Sequence, residues 1–198
     1  MKPSLFVALI MGASLALAAA ASVADVAATV QTCATCHGVN GRSVSPTFPN
    51  LAAQTSPYLE AQLKAFKDES RADPDAQAYM WGMAAQLSDA MISELGAYFA
   101  KQTAAPGKPG DSALMKRGKL VFEEGVPARQ IPPCASCHGA HGEGMATFPR
   151  LAGQHAPYLL KQLLVIQNAL RNAPVMHGVV KDLNKEQMLA VVAYLESI

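Results

Sequence analysis

All four cysteines of this 198-residue chain fall in one short motif, and that motif occurs twice. Cys33-Ala-Thr-Cys36-His37-Gly38 returns as Cys134-Ala-Ser-Cys137-His138-Gly139. The surrounding text repeats as well. Thr47-Phe48-Pro49-Asn50-Leu51-Ala52 matches Thr147-Phe148-Pro149-Arg150-Leu151-Ala152. Gln54, Pro57-Tyr58-Leu59 and Gln62-Leu63 return as Gln154, Pro157-Tyr158-Leu159 and Gln162-Leu163. The offset is 101 at the cysteines, 100 through the middle and 96 near the repeat ends. This is a tandem duplication with small gaps, too long in period for a solenoid. Whatever one half folds into, the other must fold into too.

Cys-x-x-Cys-His is the signature of covalent haem c attachment. Two thiols three residues apart on a helical turn reach the two vinyl groups of one haem, and the adjacent His reaches the iron from the same face. A four-cysteine zinc site built from both pairs explains neither the His nor the completeness of each repeat. A thioredoxin-like pair requires a βαβ context, which the sequence lacks. Structural disulfides, the usual reading of four cysteines in an exported chain, fit the spacing poorly. Two motifs in register give two covalently bound haem c groups.

Export is itself read from the N-terminus. Lys2 precedes an apolar run from Leu5 to Leu17, followed by an Ala-rich stretch with small-x-small cleavage sites ending at Ala21 and Ala24. We expect a signal peptide over residues 1–24, cut after Ala24 and delivering the chain to the periplasm. The run is short for a permanent anchor and no charged stop-transfer segment follows.

The stretch from Lys101 to Gly110, KQTAAPGKPG, has linker composition. It places one domain at residues 25–104, a linker at 105–108 and a second domain at 109–198. Both domains read as all-α. Ser56-Pro57 has the form of an N-cap and N1 pair, followed by Leu59, Leu63 and Phe66 on one face. Ser88 and Asn184 are positioned to cap the terminal helices, Asn184 with Gln187 as a capping box. No period-2 strand is legible. With 6% aromatic residues, such small domains have thin cores, and something else must fill them.

The repeat also points to a sixth iron ligand. Aligning Leu87 with Leu183 pairs Met80-Trp81-Gly82 with Met176-His177-Gly178, and sets Met83 against Val179. Met80 and Met176 are therefore the distal candidates, and Met83, Met91 and Met188 are core filler. His141, His155 and His177 have no counterpart in the first half, where His37 is the only histidine. One scheme for both irons is then His/Met. A thioether favours ferrous iron and raises the potential. With every coordination position taken, the iron passes electrons and does not bind substrate: an electron carrier, not an enzyme. Pro49 and Pro149 are candidates to accept the proximal Nδ1–H, with Pro46 a competitor in the first half.

These features resemble the dihaem cytochromes c4, two-domain class I cytochromes c, over essentially the whole mature chain. The Cys-x-x-Cys-His-Gly motifs, the Phe-Pro-x-Leu-Ala-x-Gln blocks at Phe48 and Phe148, the Tyr-Leu helices and the Met-x-Gly segments carry the likeness. The resemblance implies two tandem class I cytochrome c domains. It implies thioethers at Cys33, Cys36, Cys134 and Cys137, His37 with Met80 on one iron, and His138 with Met176 on the other. It implies electron transfer from a quinol-oxidising complex toward a terminal oxidase. The alternative is service as a cytochrome subunit or dedicated acceptor of a flavin or thiosulfate dehydrogenase. One departure is the short stretch before Cys33, which trims the first helix.

The formal net charge of +1 gives no electrostatic case for nucleic acid, and leaves at most peripheral membrane association. Charge is unevenly shared, however. Residues 25–104 hold five basic and eight acidic residues, and residues 105–198 ten and seven. The balance is −3 against +3, with Lys116, Arg117 and Lys119 clustered before the second motif, so the two ends are suited to different protein partners.

Overall fold

The computed structural model describes residues 25–198, so the expected leader lies outside the described residues. Among these the chain is helical, with two isolated antiparallel bridges, Val126–Ile131 and Met145–Phe148, and no strand. The first half contains α1 (residues 25–37), α2 (Ser56–Lys67), α3 (Trp81–Ala84) and α4 (Asp89–Ala100). The second contains α5 (Ser112–Glu124), α6 (Ala135–His138), α7 (Ala156–Gln167), α8 (Pro174–Val180) and α9 (Lys185–Ser197).

The halves differ most clearly in the chain leading into each motif. The first motif ends one continuous helix, α1. In the second half Gly125 stops α5 at φ 72°, Pro127–Arg129 makes only a single 3-10 turn, and Pro132 and Pro133 keep the chain out of α-helix until α6 at the motif. The short stretch before Cys33 still contributes to the core: Val30 is buried and packs with Leu59, Leu95 and Phe99.

Capping follows the sequence with one correction. Ser88 Oγ accepts from the Met91 amide, and Asn184 with Gln187 forms the complete box. The cap of α2, however, is Thr55 rather than Ser56. Thr55 holds extended backbone, Pro57 falls inside the first turn, and Ser56 Oγ donates to Glu60 Oε1 instead.

Among the described residues the main helix packing is within each half: α2 on α4 and α3, α7 on α8 and α9, and α5 on α9. The α5–α9 crossing is close because Gly118 has no Cβ; one would overlap the Ala190 carbonyl. Each half has two small apolar clusters rather than one centre. In the second half these are Phe122, Leu159, Val191, Val192 and Leu195, and Ile131, Ile166, Val180, Leu183 and Met188. Phe122 is fully buried, and its truncation to Ala costs about 3–5 kcal/mol. Between the clusters lies open space.

The segment expected to be a linker is held rather than free. Thr103 O accepts from Arg42 Nε at 2.8 Å, and the Lys108 amide donates to Glu196 O at 2.8 Å. It therefore touches both halves.

Candidate functional site

A cavity of about 780 Å³ runs through both halves, lined mostly by apolar side chains. Three of the four motif cysteines, both motif histidines and both candidate methionines line it. The fourth cysteine, Cys36, is exposed and does not line it.

The glycine closing each motif starts the local geometry. Gly38 and Gly139 adopt φ of 75° and 86°, a region that L side chains avoid. They end the helical turn and bring the following loop back under the imidazole. There the Phe-Pro blocks meet it. His37 Nδ1 donates to Pro49 O at 2.9 Å, and His138 Nδ1 to Pro149 O at 2.9 Å. Phe48 and Phe148 stand edge-on to the rings at 6.1 and 6.2 Å. A carbonyl only accepts, so Nδ1 carries the proton and Nε2 keeps its lone pair. Burial pushes both imidazoles below their ordinary value, against the opposing pull of the proline carbonyls. Each is thus a neutral, oriented nitrogen donor. Pro46 takes no part in this bond.

Among the described residues none of the four cysteines is paired in a disulfide. Burial raises the Cys33 thiol and pushes Cys134 up to about 11. These are not the depressed thiols of a redox-active pair. Among the described residues no three His, Cys, Asp or Glu side chains converge on a metal site.

Met80 ends a π-helical turn, Ala76–Met80, that runs into α3. Met176 lies on α8. Both are half-buried and line the cavity. Met83 and Val179, opposed in the repeat, also line it, and Met83 is 47% exposed. Met188 is buried in the core, and Met91 packs beside the first-half cluster. The spare histidines have other work. His177 Nδ1 donates to Ile166 O at 2.8 Å, just as Trp81 Nε1, its counterpart, donates to Arg71 O at 2.9 Å. Each ring pegs the methionine segment to the chain before it. His155 bonds across the halves to Ser43 O, and His141 is exposed. None of the three lines the cavity.

Where the halves face each other, the cavity is polar. Arg71 donates to Gln62 at 2.8 Å and Gln162 at 2.9 Å; Arg171 donates to Gln162 at 2.7 Å, Gln62 at 2.9 Å and Tyr58 OH at 3.0 Å. Asp73 accepts from Arg71 Nε at 2.8 Å, and its other oxygen has no partner. Burial opposes the Arg71 charge, but Tyr158, Tyr58 and Asp73 more than offset it. Of these two buried guanidinium groups only Arg71 has a carboxylate partner, while Arg171 is held by neutral oxygens, an arrangement that calls for further anions. The two carboxylates of a haem would supply them, with Arg71 and Arg171 as the groups to hold them. An apolar slot, a neutral imidazole, a thioether and a buried cation together fit a haem in each half. Sequence reading missed Arg71 and Arg171 as site residues, although the repeat sets one on the other.

Comparison with known proteins agrees with this fit. The family model described as cytochrome c matches residues 23–103 and again 115–198. Cytochrome c-552 of Acidithiobacillus ferridurans is 43% identical over 82% of this chain and 71% of its own length. Cytochrome c4 of Pseudomonas aeruginosa is 34% identical over 82% of this chain and 81% of its own. The solved Acidithiobacillus ferrooxidans cytochrome c4 superposes with a TM-score of 0.78 at 42% identity, covering 84% of this chain and 98% of that one. A thiosulfate dehydrogenase electron acceptor of Thiomonas intermedia is 32% identical over 80% of this chain and 75% of its own.

Proposed function

The chain belongs to the cytochrome c family, as a dihaem protein of the cytochrome c4 kind with two tandem class I domains, and from that premise we propose that it shuttles electrons in the periplasm between a quinol-oxidising complex and a terminal oxidase. Each half carries one covalently bound haem c, which supplies a one-electron iron couple. Its family transfers electrons and is not enzymatic.

The residue roles follow from the cavity. Cys33 with Cys36, and Cys134 with Cys137, form the thioethers. His37 and His138 are the proximal ligands, held by Pro49 and Pro149. Met80 and Met176 are the distal ligands. Arg71 and Arg171 hold the propionates between the halves. The observation that carries the reading is that each half sets an oriented neutral imidazole and a methionine on the same apolar cavity. Such a site stabilises both oxidation states and excludes exogenous ligands. A periplasmic location rests on the N-terminal leader, and the unequal charge of the halves suits docking of different partners at the two ends.

A second reading, an electron acceptor of a thiosulfate dehydrogenase, is favoured by the Thiomonas relative. The two separate in one assay. Holo-protein is offered, without oxygen, either quinol with a quinol-oxidising complex or thiosulfate with a thiosulfate dehydrogenase. We expect rapid reduction of both haems in the first arm, followed by reoxidation with a terminal oxidase. Reduction in the thiosulfate arm alone would replace the first reading with the second. Reduction in neither would overturn both.

A further inference from the structure

The peptide group that holds each proximal histidine is gripped on its other side by the opposite half. The Pro49 carbonyl accepts from His37, and the N–H of that same peptide, carried by Asn50, donates to Gln154 Oε1 at 2.8 Å. Gln154 Nε2 returns a bond to Asn50 O at 2.9 Å. The second half mirrors this. The Pro149–Arg150 peptide accepts from His138 and donates through the Arg150 N–H to Gln54 Oε1 at 2.7 Å, while Gln54 Nε2 donates to Arg150 O at 3.0 Å. Both glutamines are buried, at 6% exposure each.

We propose that Gln54 and Gln154 are crossed positioning residues, each setting the donor strength of the proximal histidine, and so the reduction potential, of the other half. The inference rests on the ligand roles given to His37 and His138 above. A hydrogen bond accepted from a peptide N–H polarises that peptide and makes its carbonyl a better acceptor. A better acceptor at Nδ1–H makes the imidazole more basic toward the metal, and a more basic imidazole favours ferric iron. Gln154 therefore lowers the potential of the His37 centre, and Gln54 that of the His138 centre.

The test uses holo-protein and a redox titration that resolves two centres, each assigned to its half by which one Met80→Ala moves. Gln154→Leu should raise the potential of the His37 centre and leave the other in place; Gln54→Leu should do the reverse. Gln154→Glu, which keeps an acceptor and gives it charge, should lower the His37 centre more than the other. That variant also stands if the leucine variant does not fold. Thr55→Val removes a bond of the same interface, Thr55 Oγ1 to Ala146 O at 2.6 Å, and should move neither centre. As a second readout, the Asn50 amide of the ferrous protein should be protected from solvent exchange and lose that protection in Gln154→Leu. Each glutamine shifting the centre of its own half, both centres moving together, or no shift would each overturn the relay. The long-wavelength methionine–iron band, retained in these variants, separates failure of the relay from failure of His/Met ligation.

Discussion

Arg71 of the first half donates to Gln162 of the second at 2.9 Å, in a cluster buried between the two halves. The same guanidinium holds Asp73, whose side chain is fully buried. This sets the cost of disturbing it. Arg71→Met strands an uncompensated carboxylate and should cost about 3–5 kcal/mol. Replacing both, as Arg71→Met with Asp73→Leu, should cost clearly less. Chemical denaturation of the holo-protein measures both, and a double replacement no better than the single one would show that Asp73 is not the group being stranded.

The interface should also sense pH through His155. Burial holds its imidazole below the ordinary value, helped by Lys108 and opposed by the Ser43 carbonyl and Glu196. The unfolded chain then binds a proton more readily than the folded one. The stability tied to a neutral His155 is fully present above the unfolded pKa of about 6.5 and is lost as pH falls through the lowered folded value. Thermal midpoints should decline from pH 7.5 toward acid more steeply in the wild type than in His155→Gln. Parallel profiles would remove His155 from the account.

Much of this site is legible in residue letters because the duplication supplies two readings of each position. The cysteine motifs and the proline carbonyls at Pro49 and Pro149 come from that register. Asn184 and Gln187 reveal their box because capping is local chemistry. What stays hidden is contact across the repeat. Gln54 and Gln154 appear as matched letters, but nothing in their spacing says that each reaches the opposite half. Arg71 and Arg171 go unremarked in the sequence, and only the fold shows them buried at the junction of the halves. Ser56 reads as a cap because Ser-Pro fits the pattern as well as Thr55 does one residue earlier. The role of His177 as a peg for α8 depends on the carbonyl of Ile166, which is invisible in sequence.

The central claim is His/Met coordination of both irons, because electron transfer without ligand exchange follows from it. The axial ligand is the strongest control on the potential, within the roughly 0.8 V range such ligands command. The most direct measurement is the ferric absorption spectrum of wild type, Met80→Ala, Met176→Ala and Met83→Ala, with carbon monoxide added to each reduced protein. Each methionine ligand gives a weak long-wavelength sulfur band. Met80→Ala and Met176→Ala should each remove about half of it, lower one potential and open one iron to carbon monoxide, whereas Met83→Ala should match the wild type. Loss of half the band in Met83→Ala, or ready carbon monoxide binding by the wild type, would contradict the account.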